Sequence, residues 1–219
     1  MDTTAWAMIE TERRGLADLL GALTPEQWET RSLCTGWRVR DVAAHLAMTP
    51  AREPTPRALL AALVRTRGRL WAAGRDVAVA YARRPYDQLV TELRRGAGSR
   101  ARPLFVQEPN ILLDLLVHGQ DIAVLLAIDR PVPPAAGVAG LQRIWALGWP
   151  FHARRRLAGV HLRAVDCDWS AGSGPAVEGT AGDLLLLATA RPAALGRLRG
   201  PGVQQLRERL RTPTAAGNG

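Results

Sequence analysis

The chain has 219 residues, 47% of them apolar, which suffices for one large domain or two modest ones with a real core. No run of about eighteen uncharged apolar residues occurs, so no membrane-spanning helix is expected. The formal charge of +9 is the balance of 29 arginines, with no lysine, against 20 acidic residues. Their clusters (Arg13-Arg14, Arg83-Arg84, Arg94-Arg95, Arg154-Arg155-Arg156) are scattered rather than gathered in one tail or helix, which excludes a nucleic-acid footprint.

The acidic start, Met1-Asp2-Thr3-Thr4, leads straight into a helical pattern and is unlike a signal peptide. Thr4 to Ala22 carries apolar residues at Ile9, Leu16, Leu19 and Leu20, the stripe of an amphipathic helix. Thr24-Pro25 is a capping pair for a short turn, with Thr24 as N-cap and Pro25 in the first helical position. Thr35-Gly36 signals a turn, and Val39 to Met48 is periodic again; this helix turns His45 inward and ends before Pro50, Pro54 and Pro56. Asp41, in its first turn, favours the helix dipole, and Trp37 packs the helix start. Pro56 to about Trp71 reads as one helix (Leu59, Leu60, Leu63, Val64, Leu70). Another runs from Pro85 to about Gly96, and Ser99 to Pro109 is a loop.

The next helix, Asn110 to Ile128, is apolar nearly all round and therefore expected to be buried. Yet Asp114, His118 and Asp121 fall in one narrow sector of it. Three ionisable groups in a buried stripe are costly unless partners or a metal ion neutralise them. Asp114 and His118, four residues apart, can reach one point. They can hydrogen-bond each other, or share an ion with His45 as the third ligand. Asp121 is either a hydrogen-bond acceptor that fixes an imidazole tautomer or the partner of an arginine.

Arg130 to Gly137 is the clearest linker. Val138 to Leu157 looks helical, with a break at Gly148 and Pro150. From Gly159 the pattern changes: Val160 to Asp166 alternates as a strand, Asp166 to Pro175 is turn material, and Ala176 to Glu178 is a short strand. Thr180 caps a helix running to Leu187. Leu195 to Leu198 reads as a last strand, Pro201 to Leu210 as a final helix, and Thr212 to Gly219 as a disordered tail. Cys34 and Cys167 lie far apart, which suits free thiols and a cytoplasmic location; Cys34 reads as a small packed residue. His152 and His161 lack ligand spacing and read as surface residues. The fold class expected is α+β, mainly α: a helical bundle over residues 1–130, then a small α/β domain over 138–211.

The segments Gly36-Trp37-Arg38-Val39-Arg40-Asp41-Val42-Ala43-Ala44-His45-Leu46 and Leu116-Val117-His118-Gly119-Gln120-Asp121-Ile122-Ala123 resemble the mycothiol-dependent maleylpyruvate isomerase family. So do Leu162 to Asp166, Asp168-Trp169-Ser170, Val177-Glu178-Gly179 and Asp183 to Leu186. The resemblance implies a DinB-like metal-binding four-helix bundle with a C-terminal α/β domain. It also implies a divalent metal, zinc by that family's habit, held by a histidine on the second helix and a Glu-x-x-x-His pair on the fourth. Carried over, the ligands are His45, Asp114 and His118, with aspartate standing where the family has glutamate. Arg191 matches an arginine of the C-terminal domain important for activity, and as a residue before proline at a helix end it can equally cap carbonyls. The implied function is a metal-dependent transferase or isomerase in which the thiolate of mycothiol adds to a small electrophile. Its partners would be that thiol and electrophile, with no nucleic acid or membrane, in a monomer or homodimer. A non-catalytic metal- or partner-binding protein on the same bundle is the alternative.

Overall fold

A computed structural model describes residues 3–51, 53–102 and 106–211. The tail from 212 on, expected to be disordered, lies outside the described residues. The chain divides into two compact units, with the boundary between Arg130 and Pro131.

The first unit is helical. Helix α1 (Thr3–Gly21) is followed by the short α2 (Pro25–Glu29), whose capping box matches the sequence: Thr24 Oγ1 accepts from Gln27 N–H, and Gln27 Oε1 accepts from Thr24 N–H. Helix α3 spans Val39–Met48 as expected. Its first turn is closed by Asp41, which accepts Arg38 N–H at 2.9 Å. Where one helix was expected from Pro56 to Trp71, two occur, α4 (Pro56–Arg65) and α5 (Leu70–Tyr81). The break is a Schellman closure. Arg67 adopts the left-handed region (φ 53°), Arg67 N–H donates to Val64 O, and Gly68 N–H to Leu63 O. Helix α6 (Tyr86–Arg95) and helix α7 (Glu108–Ala123, Pro109 in its first turn) complete the unit.

Helix α1 packs on α6 and α7, while α3 packs on α5, α6 and α7, so α1, α3, α6 and α7 form a four-helix bundle. Ile9, Leu16, Leu20, Val42, Leu89, Leu93, Leu112, Leu116 and Ile122 fill its core at 1% exposure or less, apart from Leu112 at 2%. Helix α7 ends at Ala123, five residues before the expected Ile128. There too a left-handed residue, Ala127 (φ 53°), turns the chain, and Ile128 N–H donates to Ala123 O. After this turn Arg130 folds back onto α7. Its guanidinium lies so close to Gly119 that a Cβ there would sit 2.6 Å from Nη1, and it pairs with the buried Glu12 at 2.5 Å.

The second unit opens with α8 (Pro134–Ala146), which starts inside the segment read as linker. Its prolines are the reason: Pro134 in the first turn gives up no needed N–H, so a proline-rich stretch can also begin a helix. The expected break follows, and α9 is the short Ala153–Arg156. Strand β1 (His161–Ala164) lies between β2 (Ser170–Gly172), antiparallel to it, and β3 (Ala176–Gly179), parallel to it. β2 falls within the segment expected to be turn; three residues of serine, alanine and glycine carry no strand propensity, and only pairing with β1 makes them one. Helix α10 (Ala181–Ala188) is capped by Thr180, whose Oγ1 accepts Asp183 N–H. The strand expected at Leu195–Leu198 is instead a 3-10 helix over Pro192–Gly196, and an isolated bridge joins Arg199 to Glu178. Helix α11 (Gly202–Arg211) ends the unit. Leu141, Ile144, Leu157, Leu162, Val177, Leu184, Leu185, Leu186 and Leu206 form its core. Among the described residues no helix is long and apolar enough to cross a membrane.

Candidate metal centre

Three elements of the first unit build the site: α3, α7 and the loop Ser32–Trp37 between α2 and α3. The loop is a tight excursion. Ser32 N–H donates to Trp37 O, Trp37 N–H to Cys34 O, and Gly36 takes the left-handed φ of 79° that the turn requires. Leu33 N–H donates to the carbonyl of Asp121 at 3.0 Å, which fastens the loop to α7.

Helix packing brings His45 of α3 to the Asp114–His118 pair of α7. His45 Nε2 lies 3.1 Å from Asp114 Oδ2, and His118 Nε2 lies 3.4 Å from Asp114 Oδ1. One ligand atom from each of the three residues falls within 4.8 Å of the other two. The aspartate, one methylene shorter than glutamate, still spans the gap. The trio grades from outside inward: the side chains of Asp114, His45 and His118 are 42%, 30% and 11% exposed.

Behind His118 stands Asp121, with no exposed side-chain surface; its Oδ2 is 2.9 Å from His118 Nδ1. Of the two roles open to Asp121 in the sequence, the geometry displays the acceptor beside an imidazole. With Nδ1–H donating to Asp121, the Nε2 lone pair faces Asp114 and His45. Burial works against charge on His118, but the carboxylates of Asp114 and Asp121 outweigh it and raise its pKa to about 9. Burial pushes the Asp114 carboxyl up, and the imidazoles of His45 and His118 outweigh it, so it lies well below the usual carboxylate range.

Trp37 is more than a helix-start packing residue. Its ring lies 5.3 Å from that of His45 and 6.0 Å, nearly parallel, from that of His118, so the indole walls one side of the trio. Asp41 stays outside this chemistry. It is buried in the α3 cap and bonded to Arg38, which also reaches Glu29 at 2.7 Å. The residue that sequence reading undervalued is Cys34, expected only to pack. A second ligand-capable group joins Cys34, His118 and Asp121 within 4.8 Å. A lone cysteine 84 residues before His118 gave no signal of this group; the loop's bond to α7 brings it there.

Arg191 belongs to the second unit. It follows α10, where Nη1 donates to Thr189 O at 2.9 Å, the carbonyl-capping contact. With Arg156 and Arg207 it also lines a cavity of about 370 Å³. His152 and His161 are half-buried in the same unit, and neither joins a ligand-capable group among the described residues.

Residues 9–105 match the family model of the mycothiol maleylpyruvate isomerase N-terminal domain. The match includes His45 and ends before α7. No curated protein matches the chain. Among solved structures, the crystal structure of the mycothiol-dependent maleylpyruvate isomerase is similar at 13% identity and a TM-score of 0.52, over 90% of this chain and 91% of that one. A histidine-to-alanine mutant of that isomerase aligns over the same shares at 13% identity, with a TM-score of 0.44. The resemblance is thus supported over the first bundle helices, where residues 9–105 match the N-terminal domain model of mycothiol maleylpyruvate isomerase, and the chain as a whole shares the fold of the mycothiol-dependent maleylpyruvate isomerase.

Proposed function

We propose that this protein is a metal-dependent enzyme that uses a low-molecular-weight thiol, mycothiol, to isomerise or conjugate a small electrophile, with His45, Asp114 and His118 as the metal ligands. The observation that carries the reading is the convergence of two imidazoles and one carboxylate from two separate helices, at ligand distances and open to solvent on one side. This donor set fits a divalent ion such as zinc. It supplies three protein ligands, the number that leaves a catalytic ion with an open position.

When bound, such an ion lowers the pKa of a thiol and so makes thiolate available at neutral pH. The chain's own residues do the rest. Asp121 holds the Nδ1 proton of His118 and so keeps Nε2 turned toward the ligand position. Trp37 lies against both imidazoles and walls one side of the trio. Asp114, the most exposed of the three, borders the open side from which thiol and electrophile approach. Arg191 is assigned the clamping of a carboxylate on thiol or substrate, since its guanidinium suits bidentate contact.

The test is turnover of maleylpyruvate in the presence of mycothiol, together with elemental analysis of the purified protein. His45→Ala is expected to lose bound metal and turnover while keeping the wild-type circular dichroism spectrum. Full activity in that variant, without metal, overturns the assignment. The aspartate at position 114 favours one second reading, a metal-binding protein without turnover. Titration calorimetry separates the two, because metal-dependent binding of mycothiol at micromolar or tighter Kd belongs only to the enzyme.

A further inference from the structure

His118 belongs to two ligand-capable groups. On the solvent side, Nε2 faces Asp114, with His45 beyond it. Further in, Nδ1 faces Asp121 at 2.9 Å, and one ligand atom each of Cys34, His118 and Asp121 lie within 4.8 Å of one another. The inner set has a different character. It contains a sulfur ligand, and its carboxylate has no exposed surface. Thiolate with imidazole selects thiophilic ions, whereas two imidazoles and an exposed carboxylate form a harder set. Cys34 is held in place by backbone rather than by chance, because its neighbour Leu33 is bonded to the Asp121 carbonyl and its own N–H donates to Ser32 Oγ.

We propose that Cys34, His118 and Asp121 form a second cation position, selective for thiophilic ions, that shares His118 with the solvent-side position. A neutral imidazole has one lone pair, so His118 serves one ion at a time and the two positions compete. The Cys34 thiol gives its proton to solvent as sulfur binds. One ion per chain is the consequence, with its position set by its softness.

Co²⁺ is the probe, because thiolate ligation gives it an intense near-ultraviolet charge-transfer band that nitrogen and oxygen ligation does not. The metal-free full chain is titrated as wild type, His45→Ala, Cys34→Ser and Cys167→Ser, each checked for fold by circular dichroism. The band is expected in the wild type, in His45→Ala and in Cys167→Ser, and is expected to vanish in Cys34→Ser. Saturation is expected at one ion per chain in every variant that binds. Absence of the band in both the wild type and His45→Ala overturns the inner position, and two ions per chain overturn the competition. His45→Ala disables only the solvent-side set, so this proposal and the catalytic one fail separately.

Discussion

His118 stands between two carboxylates, and most of the site's behaviour follows from that. Replacing Asp121 by asparagine keeps the shape but removes the charge that makes the imidazole a strong ligand. Metal affinity of Asp121→Asn is expected to fall about ten-fold, measured by calorimetric titration with zinc, with secondary structure unchanged. The same carboxylates govern the chelator-treated protein. Since the folded-state pKa of His118 is raised to about 9, its charged form stabilises the fold fully below the ordinary histidine value of 6.5. That stability is lost as pH rises through about 9, so the Tm of the metal-free protein is expected to fall between these values. Asp114 has the opposite sign, because its lowered pKa gives stability present above the ordinary 3.8 and lost at more acid pH. In His118→Gln the alkaline fall is expected to disappear, and a Tm profile that keeps it would show that another group is responsible.

At the scale of elements, the chain stops helices in an unusual way. Helix α10 closes on Ala190 in the left-handed region (φ 67°), with Arg191 N–H donating to Leu186 O and Ala190 N–H to Leu187 O. Alanine bears a cost of about 1–2 kcal/mol in that conformation, where glycine bears none. Ala190→Gly is therefore expected to stabilise the protein by about 0.5–1 kcal/mol after the extra entropy of an unfolded glycine is subtracted, measured by urea unfolding. Gly119→Ala is expected to do the reverse, by about 1–3 kcal/mol. The added methyl would sit 2.6 Å from the Arg130 guanidinium and push it off Glu12.

These closures also show what was readable. The turn between α4 and α5 had its glycine, Gly68, in plain view, and Ala73, Val77, Ala78 and Tyr81 make an apolar stripe for α5. Ala127 gave no comparable mark for the end of α7, since alanine favours continuing a helix.

For the molecule as a whole, a metal that binds only the folded bundle must raise its stability. At a zinc concentration one hundred times Kd the gain is about 2.7 kcal/mol, read as a rise in Tm that a chelator reverses. Asp114→Ala is expected to lose the rise on the solvent-side assignment.

Sequence by itself determined the presence of the bundle's helices, the caps at Thr24 and Thr180, and the charge on the buried stripe of α7. Local periodicity and capping chemistry decide these, and they act over a few residues. It also supplied His45, Asp114 and His118 as a group, because the spacing within α7 and the motif around residue 45 are both short-range patterns. Only tertiary structure decided that Cys34 joins His118 and Asp121, that Trp37 walls the imidazoles, and that Ser170–Gly172 is a strand. Each depends on a hydrogen bond or ring contact between residues distant in sequence, and no short-range pattern encodes such a contact.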